Sequence, residues 1–501
     1  MAKVLFISTN YSGYQSLPYT PALFTALLKE SGHEVFLFDT SFYPELIKTS
    51  YHAQRAREGA LRSFDDSAVQ SLHKTEEKTA KEEIEHAIIK FGPDVVMISL
   101  TEAMYDQVAS LLEYISPYRI LTVLGGVFPT FAPEFCLSHD GVDVVCRGEG
   151  EAAIVELCDR LDRGLNYNDI DSFWVKAKDG TIIRNPCAGL TDINALPIPD
   201  YSQFEEIRFY RPMGGKLWKT LPFETNRGCP YQCSFCGSPA QSRLYRDNGG
   251  GFFRKKRIEK IYEELTSLIK NYSPDFIQFF SDTFLLFSDD EFSAFIEMYS
   301  DIKLPFHINT HVETVSENRI KGLRDVGLYR MQIGVEHGNE NFRKAVLKKT
   351  TTNKEIRKAI EIIHSVDIPT GLTVNNMVGL PTETRDLAME TISFNHEIAK
   401  FVNGSNTAVF TPYHGTELRE LAVNLGYMER TVIASSSAFD ETLLRMPMFP
   451  KEDIMGIVKT FSLYMRFDQS RWGEIQQAEK NTPEGNALFD RLMDEYRQLY
   501  L

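Results

Sequence analysis

Short apolar segments alternate with amphipathic segments along the first 160 residues. The apolar segments are rich in β-branched residues and predict strands at 4–8, 33–39, 93–100, 119–126 and 141–151. A helix is predicted from Thr20, which can cap it, to Gly32, and further helices at 83–91 and 103–116. Buried strands separated by helices indicate a parallel sheet covered on both faces, and ligands bind such sheets beyond the carboxyl ends of the strands.

The alternation resumes near residue 216, after a proline-containing stretch at 161–215 that we interpret as a linker with a hairpin at Asp179-Gly180. Six more strands are predicted, at 222–225, 276–281, 305–310, 329–335, 371–378 and 406–411. Six β/α units are two fewer than a complete (β/α)8 barrel contains. Region 216–415 is therefore predicted to form a partial barrel with its site at the carboxyl ends of the strands.

Two regions lack strand alternation. Residues 42–82 are polar and charged and are interpreted as an insertion, and residues 416–501 are predicted to be helical. The helical region is rich in aromatic and methionine residues, which either fill a core or form a lid over the barrel mouth. These residues are Met446, Met448, Phe449, Phe461, Tyr464, Met465 and Phe467.

Composition narrows the function classes. The 501-residue chain carries a net charge of −15, which argues against binding to nucleic acid or to an anionic membrane surface. It has no apolar run near the length of a membrane span or a signal peptide, so we expect no transmembrane segment and a cytoplasmic location. Of its seven cysteines, Cys136, Cys146, Cys158 and Cys187 are scattered and are interpreted as ordinary buried thiols.

The remaining cysteines, Cys229, Cys233 and Cys236, have the spacing C-x3-C-x2-C directly after the first predicted strand of the barrel. A structural zinc ion requires four protein ligands, usually from two separated pairs, and no second pair exists. A catalytic zinc site normally uses His or carboxylate ligands. A fully ligated [4Fe–4S] cluster needs four cysteines, so three thiolates would leave one iron open to a small chelating ligand.

The segment NRGCPYQCSFCG resembles the radical S-adenosylmethionine (SAM) enzymes, whose cysteine loop has the form C-x3-C-x-aromatic-C, with Phe235 at the aromatic position. The resemblance implies a [4Fe–4S] cluster on the three cysteines and SAM on the open iron. It implies that an electron from the cluster cleaves SAM to a 5′-deoxyadenosyl radical. An external one-electron reductant, such as a flavodoxin or ferredoxin, is expected.

Further barrel segments resemble this family in the same order. They are SDTF at 281–284, IGVEHGNE at 333–340, GLPTET at 379–384 and FTPYHGTEL at 410–418. Where this branch often has Arg after the third strand, the chain has His311, which leaves His311 as a candidate polar contact. The SAM-binding residues implied by the resemblance are Phe235, Ser281, Asp282, Glu336, Val378 and Gly379, with Glu336 on the amino group and ribose.

Region 1–160 resembles the cobalamin (B12) binding domain that precedes the barrel in one branch of these enzymes, which implies a Rossmann-like fold. The segments GGVFPT at 125–130, ISLTEAM at 98–104 and STNYSG at 8–13 carry this resemblance. The implied cobalamin-binding residues are Asn10, Gly13, Ser99, Thr101, Gly125, Gly126, Thr130 and Glu149.

One departure from the family pattern concerns the histidine ligand of cobalt. The family signature D-x-H-x-x-G has Ser8 and Asn10 here in place of Asp and His, so no histidine from this loop is expected on cobalt. The alternative is a Rossmann-like domain that serves as a scaffold or binds another ligand. In RGEGE, at 147–151, the acidic turn either contacts the corrin amides or caps the next helix.

The function implied by the resemblance is cobalamin-dependent methyl transfer to an unactivated carbon of a small molecule. The aromatic and methionine residues of the C-terminal region would suit an apolar substrate. One alternative is an oxidative cyclase, ring-rearranging or carbon–carbon coupling enzyme of the same branch that transfers no methyl group. Another is a non-catalytic cobalamin or cluster sensor. Methylthio transfer is disfavoured because the sequence has no second cysteine cluster.

Overall fold

A computed structural model describes residues 1–11, 16–46, 64–72, 78–246, 251–435 and 441–500. The strands are β1 Lys3–Ser8, β2 Glu34–Asp39, β3 Val95–Ser99, β4 Leu121–Gly125, β5 Val144–Cys146, β6 Phe173–Lys176, β7 Ile182–Arg184, β8 Tyr210–Met213, β9 Lys216–Phe223, β10 Asn226–Arg227, β11 Arg254–Lys255, β12 Phe276–Phe279, β13 Phe306–Thr310, β14 Leu328–Glu336, β15 Leu372–Val378 and β16 Gly404–Val409.

Helices α1 to α6 lie in the first half of the described chain: Tyr19–Glu30, Ala80–Phe91, Tyr105–Ile115, Val127–Phe131, Pro133–Ser138 and Glu151–Asp162. Helices α7 to α13 are Ser238–Leu244, Ile258–Tyr272, Asp289–Ile302, Glu317–Val326, Glu340–Ala345, Asn353–Ser365 and Arg385–Ile398. Helices α14 to α17 are Glu417–Asn424, Lys451–Arg466, Trp472–Ala478 and Pro483–Tyr500. Among the residues described, no helix is both long and apolar enough to cross a membrane.

The first sheet has the strand order β2-β1-β3-β4-β5-β6-β7. Strands β1 to β5 are parallel, and their 2-1-3-4-5 order is that of a doubly wound, flavodoxin-like domain. The predicted hairpin at Asp179-Gly180 is present as β6 and β7, which extend this sheet in antiparallel pairing. Part of the predicted linker is thus integral to the first sheet.

The second sheet has the order β16-β15-β14-β13-β12-β9-β8. Its six parallel strands correspond to the six predicted β/α units. Antiparallel β8 joins the edge through a tight turn at Gly214 and Gly215, whose φ angles are +63° and +81°. The predicted α/β fold is confirmed, with a partial barrel in place of a closed one.

Three large hydrophobic cores hold these layers together in the described part of the chain, beside two small clusters. The first core lies under one face of the first sheet and continues beneath the outer surface of barrel strands β9 to β15. The third core covers the opposite face of the first sheet. The second core joins the end of the barrel, near β15 and β16, to the C-terminal helices.

Two details differ from the sequence expectations. Thr20 lies within the first turn of α1, and the residue preceding the helix is Pro18, which provides no side-chain cap. The insertion predicted at 42–82 falls partly outside the described residues, at 47–63 and 73–77.

The C-terminal aromatic and methionine residues lie in two different environments. Met446, Phe449, Phe461, Tyr464, Met465 and Phe467 are buried, and Met448 is 44% exposed. Because the buried residues belong to the hydrophobic cores, packing accounts for the composition of this region.

Candidate active site

The three clustered cysteines lie on a loop between β10 and α7, at the carboxyl end of the barrel. Ser234 anchors this loop: its backbone N–H donates to Leu347 O at 3.1 Å, and its hydroxyl donates to Val346 O at 2.6 Å. Leu418 N donates to Ser234 O at 3.1 Å. The loop is therefore fastened both to the segment after α11 and to α14, which fixes the backbone that carries the thiols.

The thiols themselves are half-buried and electrostatically coupled. Desolvation raises the pKa of Cys233 to about 12 and that of Cys236 to about 11, and it also raises the pKa of Cys229. Negative charge on the neighbouring thiols adds to the shift at Cys233 and Cys236, whereas the Lys349 ammonium lowers the pKa of Cys229 and Cys233. Without a metal, the three thiols are protonated at neutral pH.

Cys229, Cys233 and Cys236 do not form a tight single-ion site within the described structure. Among the described residues, no three His, Cys, Asp or Glu side chains converge tightly enough to hold one metal ion. A cluster distributes its thiolates over separate irons, so its ligands need not meet at one point. The lack of a tight single-ion group thus does not argue against a cluster on these three thiols.

The four other cysteines lie elsewhere in the structure. Cys136, Cys146 and Cys158 are buried, as predicted, whereas Cys187 is only half-buried, so the prediction of a buried thiol is wrong there. Cys187 Sγ approaches Arg147 O at 3.8 Å.

Two acidic residues predicted to contact SAM share this site with the thiols. Negative charge on Asp282 and on Glu336 raises the pKa of Cys236, so both carboxylates act electrostatically on that thiol. Burial raises the pKa of Asp282 itself, and the Glu224 carboxylate adds to the shift. Glu336 ends β14 with φ +66°, a conformation that non-glycine residues seldom adopt outside functional sites.

The sequence analysis missed Lys349. Its ammonium donates to Gly334 O at 2.5 Å and lies 3.2 Å from Oε1 of Glu336. The Lys349 side chain is 4% exposed, so a cation is held inside the site beside both an acid and the thiols. Lys349 lies in a loop after α11. A loop has no helical or strand periodicity from which the direction of its side chain could be predicted.

The other residues predicted to bind SAM have varied surroundings. The Ser281 hydroxyl lies 2.8 Å from Thr225 Oγ1, and Phe235 packs against the second core. Val378 is fully buried in that core, and its carbonyl accepts from Phe410 N at 2.8 Å. Gly379 N donates to Glu383 Oε2 at 2.6 Å. A SAM-contacting role for these residues stays a prediction.

His311 stacks on Tyr231, which lies between the first two cysteines of the loop. Their ring centroids are 3.8 Å apart and their planes are inclined by 19°. Burial, with the Lys349 charge, lowers the pKa of His311 to about 3. The imidazole is therefore neutral and supports the cysteine loop through ring stacking.

A cavity of about 190 Å³ lies at the carboxyl edge of the first sheet. Five residues predicted to bind cobalamin line it: Ser99, Gly125, Gly126, Thr130 and Glu149. Ser99 and Gly125 end two adjacent parallel strands, where ligands of such sheets bind.

The paired glycines in this wall have different structural requirements. Gly126 has φ +106°, and a Cβ there would lie 2.5 Å from Leu100 O, so the fold itself requires glycine. A Cβ on Gly125 would meet nothing closer than Cys146 Cβ at 3.7 Å. Glycine at 125 thus leaves open a space that a side chain would fill, as a site for a large ligand requires.

The remaining residues predicted to bind cobalamin have varied surroundings. Thr101 is exposed, and the Asn10 amide donates to Ser16 O at 3.3 Å. The Thr130 hydroxyl donates to Gly126 O at 2.7 Å and accepts from Gly148 N at 2.9 Å. Gly13 lies outside the described residues.

Glu149 connects the two domains. One carboxylate oxygen accepts from Arg254 Nη1 at 3.1 Å and from Thr191 N at 2.9 Å, and the other lies 3.3 Å from Arg227 Nη1. These partners hold the pKa of Glu149 below its usual value against the opposing effect of burial. The suggestion that the turn caps the next helix is wrong, because α6 has no side-chain cap.

The cavity and the cysteine loop face each other across the domain interface. Arg227, two residues before Cys229, lines the cavity. Gly237, which follows Cys236, lies beside Val127 of the first domain: a Cβ on this glycine would be 3.9 Å from Val127 Cγ1. Ligands held by the two domains would therefore meet at this interface.

Comparison with known proteins identifies both domains. Residues 223–394 match the radical SAM superfamily, and residues 63–158 match the B12 binding domain. The chain is therefore similar, over these two regions, to radical SAM enzymes that carry a B12-binding domain. The cofactors of such enzymes are a [4Fe–4S] cluster, SAM and cobalamin, and both the three-thiol loop and the open cavity suit them.

Two curated relatives resemble most of the chain. An uncharacterized methyltransferase of Pyrococcus horikoshii is 27% identical over 402 residues, covering 77% of this chain and 81% of that protein. An anaerobic magnesium-protoporphyrin IX monomethyl ester cyclase of Rubrivivax gelatinosus is 26% identical over 354 residues, covering 68% of this chain. The matched region spans 60% of the cyclase.

A solved structure has the same fold. The cobalamin-dependent S-adenosylmethionine radical enzyme OxsB, with aqua-cobalamin bound, superposes with a TM-score of 0.67 at 14% identity. The alignment covers 99% of this chain and 71% of OxsB. The two-domain arrangement is therefore shared along almost the whole chain.

Proposed function

We propose that this protein is a cobalamin-dependent radical SAM methyltransferase that methylates an unactivated carbon of a small molecule. The observation that carries the proposal is the approach of Gly237, at the end of the cysteine loop, to Val127, at the edge of the first-domain cavity. When bound, the cluster and SAM supply a carbon radical, and cobalamin supplies the methyl group.

Within this proposal, the residues of the chain have distinct roles. Cys229, Cys233 and Cys236 hold the cluster, and Glu336 orients SAM through its positively charged amino group. Gly125, with Ser99, leaves room for cobalamin beyond the first sheet. The relative from Pyrococcus horikoshii, which is named a methyltransferase, supports the same function.

The proposal also includes an external one-electron reductant, such as a flavodoxin or ferredoxin, and a cytoplasmic location. The free thiols of the chain are consistent with a reducing compartment. The suggestion of an apolar substrate loses its basis, because six of the seven aromatic and methionine residues behind it are buried in the cores.

The test begins with the cofactors. The protein is expressed with cobalamin supplied and reconstituted with iron and sulfide without oxygen, and cobalt and iron per chain are measured. About four irons per chain are expected for a [4Fe–4S] cluster, with about one cobalt for one cobalamin. Iron without cobalt would exclude the methyltransferase while leaving a radical SAM enzyme.

The second step separates methyl transfer from cyclisation, the reaction named for the Rubrivivax relative. The loaded protein is incubated with SAM carrying a deuterated methyl group, a reductant and a small-molecule cell extract. A deuterated methyl group in a new product supports methyl transfer. A new product without the label, formed by wild type and not by Cys236→Ala, would instead indicate cyclisation or rearrangement.

A further inference from the structure

The inner face of the partial barrel is lined by polar side chains. Along β14, Leu328, Met331, Ile333 and Val335 are buried beneath the outer helices. The alternate positions, from Arg330 to Glu336, are half-buried and face the lumen. Because side chains alternate along a strand, the same division follows on the neighbouring strands.

The lumen-facing side chains are of an unusual kind for a barrel. Interiors of (β/α)8 barrels are filled chiefly by bulky branched apolar residues. Here strand register brings amides and cationic or aromatic nitrogen groups together. The main contributors are Gln278, His307, Asn309, Arg330, Gln332 and Asn375. This lining differs from the apolar filling of such barrels and offers hydrogen-bond donors and acceptors that suit a polar ligand.

Positive charge is concentrated at one layer of the lumen. His307 pairs in register with Gln278 on one side and with Arg330 on the other. Arg211, on edge strand β8, donates to Gln278 Oε1 and to the Ser16 hydroxyl. Ser16 belongs to the first domain, so this layer is bounded by both domains.

The His307 ring is buried without hydrogen-bond partners in the described structure. It is 4% exposed, and neither ring nitrogen has a hydrogen-bond partner among the described residues. Burial, with the charges of Arg330 and Arg211, holds the pKa of His307 well below its usual value. A neutral imidazole still has one N–H to donate, and a buried polar group without a partner is costly.

Acidic groups are scarce in this interior. Among the lumen-facing positions of the described strands, the carboxylate is that of Glu336, at the rim, where it already pairs with Lys349. Two guanidinium groups beside a buried imidazole N–H match an oxyanion, which guanidinium groups can bind through paired hydrogen bonds.

We propose that this lumen binds an oxyanion of the substrate, a carboxylate or a phosphate, through Arg330, Arg211 and His307. The proposal rests on the proposed function, since it names the substrate class of the same site. The bound group would lie inside the barrel, which would leave the rest of the substrate toward the rim where Glu336 and the cysteines lie.

The test uses the anaerobically reconstituted, cobalamin-loaded protein. Binding of inorganic phosphate and of succinate is measured by isothermal titration calorimetry, with neutral succinamide as the comparison ligand. Wild type is expected to bind at least one of the two anions and not succinamide. Arg330→Gln should weaken anion binding at least tenfold, whereas Arg491→Gln, on the exposed surface of α17, should leave it within twofold.

Iron and cobalt per chain identify variants that have failed to fold. If Arg330→Gln has lost its cofactors, Arg211→Gln, at the sheet edge, decides the question with the same expected loss. Absence of anion binding in wild type overturns the proposal, as does equal binding in wild type and in both cofactor-loaded variants. Tighter binding of phosphate or of succinate identifies which anion the substrate carries.

The outcome is separable from the proposed function. Anion binding that depends on Arg330 can be observed whether or not a methyl group is transferred. Conversely, cobalt binding and methyl transfer with no dependence of anion binding on Arg330 or Arg211 would support the methyltransferase and reject this substrate class.

Discussion

Glu102 of the first domain is hydrogen-bonded to His414 at the end of the barrel. One carboxylate oxygen accepts from His414 N at 2.8 Å, and the other lies 2.8 Å from the ring Nδ1. The latter oxygen also accepts from Ala434 N at 2.8 Å and is 3.8 Å from Arg419 Nη1. With 3% of its surface exposed, Glu102 fastens the barrel and the C-terminal region to the first domain.

Replacing Glu102 should weaken the domain interface. Glu102→Ala is expected to lower the free energy of unfolding by about 3–5 kcal/mol, because it leaves several buried donors without an acceptor. Glu102→Gln should cost less, since the amide retains one acceptor oxygen. Urea denaturation measures both effects, with Glu113→Ala on the exposed face of α3 as the control. Equal stability of Glu102→Ala and the control would contradict the role assigned to Glu102.

Gly125 offers a test of the cobalamin cavity. Gly125→Val should fill the cavity with little disturbance of the fold, because its Cβ would make only an ordinary contact with Cys146. We expect cobalt per chain to fall at least tenfold while iron per chain is unchanged. Cobalt and iron analysis of the reconstituted variant measures both quantities.

Substitution of the neighbouring Gly126 provides the matched contrast to Gly125→Val. Gly126→Ala puts a Cβ at 2.5 Å from Leu100 O at a φ of +106°, so it should lower stability whether or not cobalamin is supplied. Gly125→Val should change thermal stability little without cobalamin. If Gly125→Val retained wild-type cobalt, cobalamin would have to bind away from this cavity.

The strand pattern predicted most of the fold because each buried parallel strand is a compact run of apolar, β-branched residues. The strands at Val95–Ser99 and Leu372–Val378 show this directly. The sequence pattern did not predict the pairing of β6 with β5 or of β8 with β9. Short edge strands take their partners from tertiary packing, and the pattern within each strand does not specify the partner.

The candidate site was predictable to a different extent at each position. The spacing of Cys229, Cys233 and Cys236 marked the cysteine loop, because cluster ligation constrains the sequence locally. The position of Lys349 beside Glu336 depends on how one loop packs, and its sequence carries no signal for that. The polar lumen did leave a signal, since Arg330 and Gln332 alternate with apolar residues along one strand.

The raised thiol pKa values predict pH-dependent cluster assembly. Cysteine binds iron as the thiolate, so each thiol must release its proton. Because the pKa of Cys233 is about 12 and that of Cys236 about 11, the apparent affinity for iron should rise with pH throughout the range from 7 to 9. Iron per chain at limiting iron, measured across that range, tests this expectation.

The charge of Lys349 should affect the pH dependence of cluster assembly. The Lys349 ammonium lowers the pKa of Cys229 and Cys233, so Lys349→Met should raise both and move cluster assembly to higher pH. Lys344→Met, on the exposed side of α11, is the control. An unchanged pH profile in Lys349→Met would show that this charge does not act on the thiols.

Glu336 is predicted to bind SAM directly, although in the structure it also neutralises Lys349. Glu336→Gln should weaken SAM binding to the cluster-loaded protein at least tenfold, about 1.4 kcal/mol, because the charge opposite the SAM amino group is lost. Equilibrium dialysis with labelled SAM measures the dissociation constant. Glu361→Gln, exposed on α12, should match wild type.

A second variant separates direct binding from an effect through Lys349. Glu336→Gln leaves a buried ammonium without its carboxylate, and that alone can distort the site. The double variant Glu336→Gln/Lys349→Met removes this unpaired charge. If Glu336 contacts SAM, the double variant still binds SAM weakly. Recovery of wild-type affinity in the double variant would show instead that Glu336 serves only to neutralise Lys349.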